Sequence, residues 1–206
     1  MQEHKHVVLI SLDCSSAFDT VDHDLLLKRL KFRGNVTNKA LQLLSSYLAE
    51  RTFSIKVEKK MSKPRHVKYG VPQGSILGPQ FYNLYTSVLE DVITDCNTKL
   101  EMYADDILMF FSFSEQNEQE AKQQANLCLK KVHQWMNSSF LKLNCDKTVV
   151  KIFSPRKHSL KSSFNLTYES IILTPSDSLT FLGTKLKETF KLSSFIVEKV
   201  RKCNFI

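Results

Sequence analysis

The run VVLISLD (Val7–Asp13) constrains the fold more than any other stretch of this chain. It is short, strongly apolar and rich in β-branched residues, and it ends in a carboxylate. Such a run reads as a buried central strand, which delivers Asp13 to the end of a sheet. Two further apolar strands, Leu100–Tyr103 and Ile107–Phe113, frame Asp105 and Asp106, so a hairpin with acids at its tip is expected. Strand ends of one sheet can bring these carboxylates together. They then repel: two unit charges about 4 Å apart cost roughly 4 kcal/mol at an effective dielectric of about 20. A fold tolerates this where a cation binds or a proton is shared. Magnesium suits the first case, because it takes hard oxygen ligands and leaves positions for phosphate oxygens. Two such ions can activate a hydroxyl nucleophile and stabilise the leaving oxygen of an in-line displacement. Solvated turn acids are the plain alternative, and the apolar strands on either side weigh against it.

Periodicity supplies the rest of the frame. Val21–Arg33 reads as a helix ended by Gly34-Asn35, and Lys39–Glu50 as a second one that Thr37 or Asn38 can cap. Thr52–Val57 and His66–Gly70 read as strands around a turn at Lys60–Pro64, followed by a helix over Pro79–Asp95. Glu115–Asn137 is a long amphipathic helix, with Ala121, Ala125, Cys128, Val132 and Trp135 facing inward. Thr148–Phe153 is another strand, and short strands near Phe164–Tyr168 and Leu179–Leu182 are expected to pair as a terminal hairpin. The order implies an α+β fold, an antiparallel sheet backed by helices and compatible with a split βαβ arrangement.

The net charge is +8, from 29 Lys plus Arg against 21 Asp plus Glu, which favours a polyanion partner through counterion release. Basic residues concentrate in Lys56–Lys68, where Lys56, Lys59, Lys60, Lys63, Arg65 and Lys68 face one acid, Glu58. That segment is a candidate for phosphate contact, with a solvated hairpin tip as the equal alternative. The five cysteines, Cys14, Cys96, Cys128, Cys145 and Cys203, form no CxxC pair. This argues against a disulfide framework or a zinc site and fits a reducing compartment. The uncharged stretch Tyr69–Leu89 is long enough to raise the question of a membrane span. Gly70, Pro72, Gln73, Gly74 and Pro79 break it, so it reads as a buried loop entering a helix, and no membrane partner is expected.

Four segments in order carry a resemblance. LISLDCSSAFDTVDHDLLLKRL (Leu9–Leu30), GVPQGSILGPQFYN (Gly70–Asn83), YADD (Tyr103–Asp106) and LKLNCDKT (Leu141–Thr148) closely resemble motifs A, B, C and D of reverse transcriptases. The wording AFDTVDH and GVPQGSxLGP looks like that of non-LTR, LINE-type retrotransposons. SLTFLG (Ser178–Gly183) is similar to the weaker motif E. The resemblance spans almost the whole chain. It implies a reverse-transcriptase palm over residues 1–206, with an antiparallel sheet of ferredoxin-like type packed on helices. It implies an RNA-directed DNA polymerase that adds dNTPs to a DNA primer on an RNA template, with two Mg²⁺ ions (or Mn²⁺).

The same resemblance implies roles residue by residue. Asp13 and Asp105 are the principal metal ligands, Asp106 supports them, and the backbone carbonyl of Cys14 completes one ion's shell. Phe18, five residues after Asp13, matches the aromatic steric gate that excludes a 2′-hydroxyl; a core phenylalanine is the alternative. The amides around Ser16 and Ala17 face the triphosphate. Gln73 and Gly74 meet the template or the incoming nucleotide, and Tyr103 lies in the nucleic-acid path. Lys147 matches the motif D lysine that protonates or neutralises pyrophosphate, with a surface lysine before a strand as the alternative. Leu182 and Gly183 belong to the loop holding the primer end.

Against the family pattern, the fingers upstream of motif A, a thumb after Thr184–Ile206 and the endonuclease are expected to be missing. The chain therefore reads as a palm cut from a longer retrotransposon polyprotein, whose full-length form is expected in the nucleus. A catalytically inactive relic that at most binds nucleic acid is the second reading. A different two-metal enzyme such as a nuclease is a third, in which the PQG loop and Phe18 have no clear task.

Overall fold

The computed structural model describes residues 5–154, 164–168 and 171–187. Cys203 and most of the segment after Thr184 lie outside the described residues. The first half of the chain contains β1 (His6–Ser15), α1 (His23–Phe32), α2 (Asn38–Leu48), β2 (Thr52–Phe53), β3 (Lys56–Val57), β4 (Lys60–Met61), β5 (Arg65–His66), α3 (Leu77–Thr86) and α4 (Leu89–Val92). The second half contains β6 (Lys99–Tyr103), β7 (Asp106–Phe113), α5 (Glu118–Ser138), β8 (Lys142–Leu143), β9 (Val149–Phe153), β10 (Leu166–Tyr168), β11 (Ile171–Leu173), β12 (Ser178–Phe181) and β13 (Thr184–Lys187). These elements form two compact units.

One unit comprises Met1–Asp13, Ile93–His133 and Leu143–Ile206. Its core is a sheet ordered β6-β7-β1-β8, with β9 also paired to β1. The β6–β7, β7–β1 and β1–β9 pairings are antiparallel. Buried and half-buried residues alternate along β1, so the strand is sealed on one face and partly covered on the other. Val8, Ile10 and Leu12 point into the core beside Ile107 and Met109, all within 1% of full burial. Each such side chain contributes about 1.5–3 kcal/mol through removal of apolar surface from water. Asp13 stands on the half-covered face, where a carboxylate can keep some solvent. Phe113 stacks on buried Phe164 with centroids 5.1 Å apart. Helix α5 anchors β10: Asn126 Oδ1 accepts from Thr167 N at 2.8 Å, and the His133 and Tyr168 rings meet edge to face.

The other unit comprises Cys14–Val92 and Gln134–Lys142 and is mostly helical. Asp22 caps α1 by accepting from Leu25 N at 2.8 Å, as an Asp before an apolar helical run should. Arg29 ties the unit together. Its guanidinium donates to the Tyr85 carbonyl and, at 2.7 Å, to Ser139 Oγ, while it lies over the Tyr85 and Trp135 rings. The Tyr85 hydroxyl donates to the Ser139 carbonyl at 2.6 Å, and burial pushes its ionisation upward.

Three sequence expectations are corrected here. The hairpin after α2 turns at Glu58-Lys59, not at Lys60–Pro64, because Lys60 and Met61 pair with Val57 and Lys56. The expected helix over Pro79–Asp95 is two helices. Thr86 and Ser87 return their hydroxyls to the Tyr82 and Leu84 carbonyls, a competition that loosens helix ends. The late strands do not pair with one another: β10 pairs with β11, and β12 with β13. Each has a partner a few residues away, and local pairing costs less loop entropy. Among the described residues, no helix is long and apolar enough to cross a membrane.

Candidate active site

Strand β6 ends at Tyr103 and β7 begins at Asp106, so Ala104 and Asp105 form a two-residue turn. Ala104 takes φ 54. Such tight hairpin turns demand positive φ, at a cost of about 1 kcal/mol for a residue with a Cβ. In register, Asp106 lies opposite Tyr103 on one side and Asp13 on the other. Directly paired residues share a face, so Asp13, Asp106 and Tyr103 stand on one face of the sheet, with Asp105 exposed at the tip beside them. Burial, followed by the charges of Asp105 and Asp13, pushes the Asp106 carboxyl above its ordinary value. The carboxylates thus sense one another. Among the described residues, no group of three or more His, Cys, Asp or Glu side chains forms a ready-made metal cage.

Lys147 answers the acids from the β9 side. Its Nζ lies 3.5 Å from Asp13 Oδ2. The short turn that carries it is hooked to β1, because Asn144 N donates to the Asp13 carbonyl at 2.8 Å. Thr148 Oγ1 closes the same turn onto the Asn144 carbonyl at 3.0 Å. Cys14, the next residue along β1, is 5% exposed and turns its thiol to the buried face. Tyr103 is 67% exposed.

The second unit holds Ser16, Ala17, Phe18, Gln73 and Gly74. Ser16 takes φ 52 and leads into a 3-10 turn at Ala17–Asp19, with Ala17 buried. Phe18 is half-buried and stacks on Tyr82, centroids 4.6 Å apart. Residues 70–73 are stitched to this turn. Val71 N donates to the Phe18 carbonyl and Gly70 N to the Val21 carbonyl, both at 2.8 Å. His23 Nε2 lies 2.7 Å from the Gly70 carbonyl, so that nitrogen carries the proton. A Cβ on Gly70 would stand 2.9 Å from the Asp19 backbone, and φ is +89, which makes glycine obligatory there. Gly74, at φ +79, has nothing within 4 Å of where a Cβ would stand, so the loop is open beside it.

Sequence reasoning missed Asp19, Gly70 and His23 as site residues. Asp19 Oδ1 accepts from Gln73 Nε2 at 2.9 Å and thereby aims the exposed amide. The signal was present in AFDTVDH, whose acids and histidine follow a strand end, but 54 positions separate Asp19 from Gln73 and nothing local links them. The remaining expected residues lie in other elements. Lys56, Lys59 and Lys60 are exposed on the β3–β4 hairpin. Leu182 and Gly183 form the turn between β12 and β13 at φ 47 and φ 70, with Leu182 49% exposed.

The chain thus has an α+β fold in which an acidic hairpin pairs with an aspartate-ended strand, and comparison with known proteins narrows its class. The family model for reverse transcriptase (RNA-dependent DNA polymerase) matches residues 1–186. The chain belongs to that family. It is 29% identical over 199 residues to a probable RNA-directed DNA polymerase from transposon BS of Drosophila melanogaster, covering 94% of this chain and 21% of that protein. It is 36% identical over 102 residues to the probable RNA-directed DNA polymerase from transposon X-element of the same fly, covering 48% of this chain and 11% of that one. The chain thus spans about a fifth or less of these relatives' length. The expected kinship with non-LTR elements is borne out, since the jockey polymerases also match. Among solved structures, apo telomerase from Candida tropicalis superposes with a TM-score of 0.58 at 16% identity, over 88% of this chain and 34% of that one. Telomerase from Candida albicans gives 0.53 at 15%, over 89% and 32%. These likenesses establish the fold: mixed helices and antiparallel sheet, consistent with a reverse-transcriptase palm.

Proposed function

We propose that residues 1–206 form the palm of an RNA-directed DNA polymerase that joins dNTPs to a primer 3′-hydroxyl on an RNA template. The observation that carries this reading is the register of Asp13 against Asp106, with Asp105 in the adjoining turn. Within the sheet, the order β9-β1-β7-β6 with helical crossovers supports a ferredoxin-like arrangement.

The donor set fits divalent cations. Burial first, and then the neighbouring charges of Asp105 and Asp13, raise the Asp106 carboxyl, and hard carboxylate oxygens gathered in this way suit magnesium or manganese. Asp13, Asp105 and Asp106, with the Cys14 carbonyl, would hold two such ions. When bound, these supply Lewis acidity for attack and departure at phosphorus. The chain's own residues do the rest. Phe18, braced on Tyr82, stands as the gate against a 2′-hydroxyl. Backbone amides at Ser16 and Ala17 offer donors to the triphosphate. Gln73, held by Asp19, presents its amide to template or nucleotide across the open side of Gly74. Lys147 holds a proton for pyrophosphate and rests on Asp13 meanwhile. Tyr103 and the Leu182-Gly183 turn line the primer path. The relatives' names as polymerases of mobile elements support polynucleotide partners, and their greater length supports work within a larger polyprotein alongside fingers and thumb.

The test is primer extension by this chain, and by a chimaera in which residues 1–186 replace the matching segment of a retrotransposon polymerase. The chimaera is expected to incorporate dNTPs with magnesium or manganese and to lose at least about a thousandfold on Asp105→Ala, since metal-assisted charge stabilisation is worth several kcal/mol. Incorporation that survives that substitution removes the assignment. A folded chimaera that binds primer and template yet never incorporates marks the chain as a relic.

A further inference from the structure

We propose that the β2–β5 arm is a clamp for single-stranded RNA, with phosphates on its cations and unstacked bases against its apolar side chains. The assignment rests on the polymerase reading for its choice of RNA as the strand, whereas the binding chemistry stands on the arm alone.

The arm's register breaks once. Thr52 and Phe53 pair with His66 and Arg65, and Lys56 and Val57 pair with Met61 and Lys60. Between the two blocks, Ser54 and Ile55 face Ser62, Lys63 and Pro64, which is a bulge on the returning strand. Pro64 has no N–H to lose there. The bulge is locked by Ile55 N donating to Ser62 Oγ and Ser62 N donating to the Ile55 carbonyl, both at 2.9 Å. The arm is therefore a defined ladder with a twist, not a loose loop.

Its surface combines two features that ordinarily exclude each other. Phe53, Ile55, Val57 and Met61 are 48–69% exposed. Lys56, Lys59, Lys60, Lys63, Arg65 and Lys68 are exposed around them, against Glu58. Paired residues share a face, so the register seats Phe53 beside Arg65, Val57 beside Lys60, and Met61 beside Lys56. Each of these apolar side chains has a cation next to it. Lysine is depleted from the cores of protein–protein interfaces, which speaks against a protein partner. A duplex would use the cations and leave the apolar groups idle, because its base faces are stacked away. A single strand uses both: charge along the backbone and bases laid on apolar or aromatic side chains.

The 206-residue chain can be tested by fluorescence anisotropy against an unstructured RNA of about 15 nucleotides, near the upper site size of single-strand modules, and against a blunt RNA duplex of equal length. The triple variant K56Q/K59Q/K60Q is expected to weaken both and to flatten the single-strand salt dependence by about two units of slope, three cations at roughly 0.7 each. Phe53→Ala is expected to weaken single-strand binding on the order of tenfold with the salt slope intact, to leave the duplex unchanged, and to be rescued by Phe53→Trp. Single-strand binding unaltered in both variants overturns the proposal. Equal loss on single strand and duplex from Phe53→Ala also overturns it. So does an oligomer that becomes a monomer on Phe53→Ala while RNA binding persists, which would assign the apolar face to a second copy of this chain. Primer extension by the chimaera, read in parallel, separates the two readings: single-strand binding that depends on Phe53 and on the arm's lysines stands even where no dNTP is incorporated, and incorporation without that dependence removes the arm's role alone.

Discussion

The acidic hairpin and the loop that carries Gln73 are built in opposite ways. On the hairpin, Asp13 and Asp106 are placed by a regular antiparallel ladder, whose backbone bonds are indifferent to the side chains they present. In the loop, Gly70 is pressed against the Asp19 backbone, and Gln73 is aimed by the hydrogen bond that its amide donates to the Asp19 carboxylate. The first region spends stability to gather like charges. The second depends on close contact, so its geometry and its stability are the same thing. Chemical groups on a ladder can be exchanged without loss of fold, whereas a loop made by backbone approach fails when one atom is added.

Three changes can break or sharpen that contrast. The largest effect is expected from Gly70→Ala. Positive φ and a Cβ 2.9 Å from backbone together should cost about 3 kcal/mol, read as a lower urea midpoint. An unchanged midpoint would mean that the loop yields freely and the contrast is false. Next is Asp19→Ala, which releases the Gln73 amide. In the active chimaera it should raise the dNTP KM about tenfold, worth about 1.4 kcal/mol, with kcat held and stability altered by less than about 0.5 kcal/mol. A fall in kcat at constant KM would refute the aiming role. The smallest effect belongs to Asp106→Asn. The folded state raises the Asp106 carboxyl, so it binds that proton more tightly than the unfolded chain does. The associated stability is complete below the unfolded value and is lost as pH rises through the folded one. Asparagine escapes that loss. The variant should match the parent at about pH 3 and exceed it at about pH 7.5 by up to about 1 kcal/mol, after allowance for solvent screening. Added magnesium should then raise the parent's midpoint more than the variant's.

Much of the frame is legible in the sequence. Val7–Asp13 is a strand because β-branched apolar residues crowd a helix and suit a pleat, and Asp105-Asp106 sit at a hairpin because two such runs flank them. The long helix over Glu118–Ser138 followed from its apolar spacing. The arm between Arg51 and Gly70 was less legible. A one-residue bulge leaves no mark in composition, and a turn at Glu58-Lys59 needs positive φ at a glutamate, which sequence signals assign to Asn or Gly. The split between α3 and α4 was hidden because hydroxyl residues occur both inside helices and at their ends.

The amino-acid order by itself determined which groups were available and which local shapes held them: carboxylates at strand ends, a glycine-rich loop, a cationic arm. Tertiary structure decided the partnerships, with Asp13 facing Asp106 rather than Asp105, Gln73 bound to Asp19, and Lys147 resting on Asp13. The reason is physical. Local shape follows from sterics and hydrophobic period within a few residues, whereas register and long-range hydrogen bonds depend on how separate elements share one core, which no short window of sequence contains.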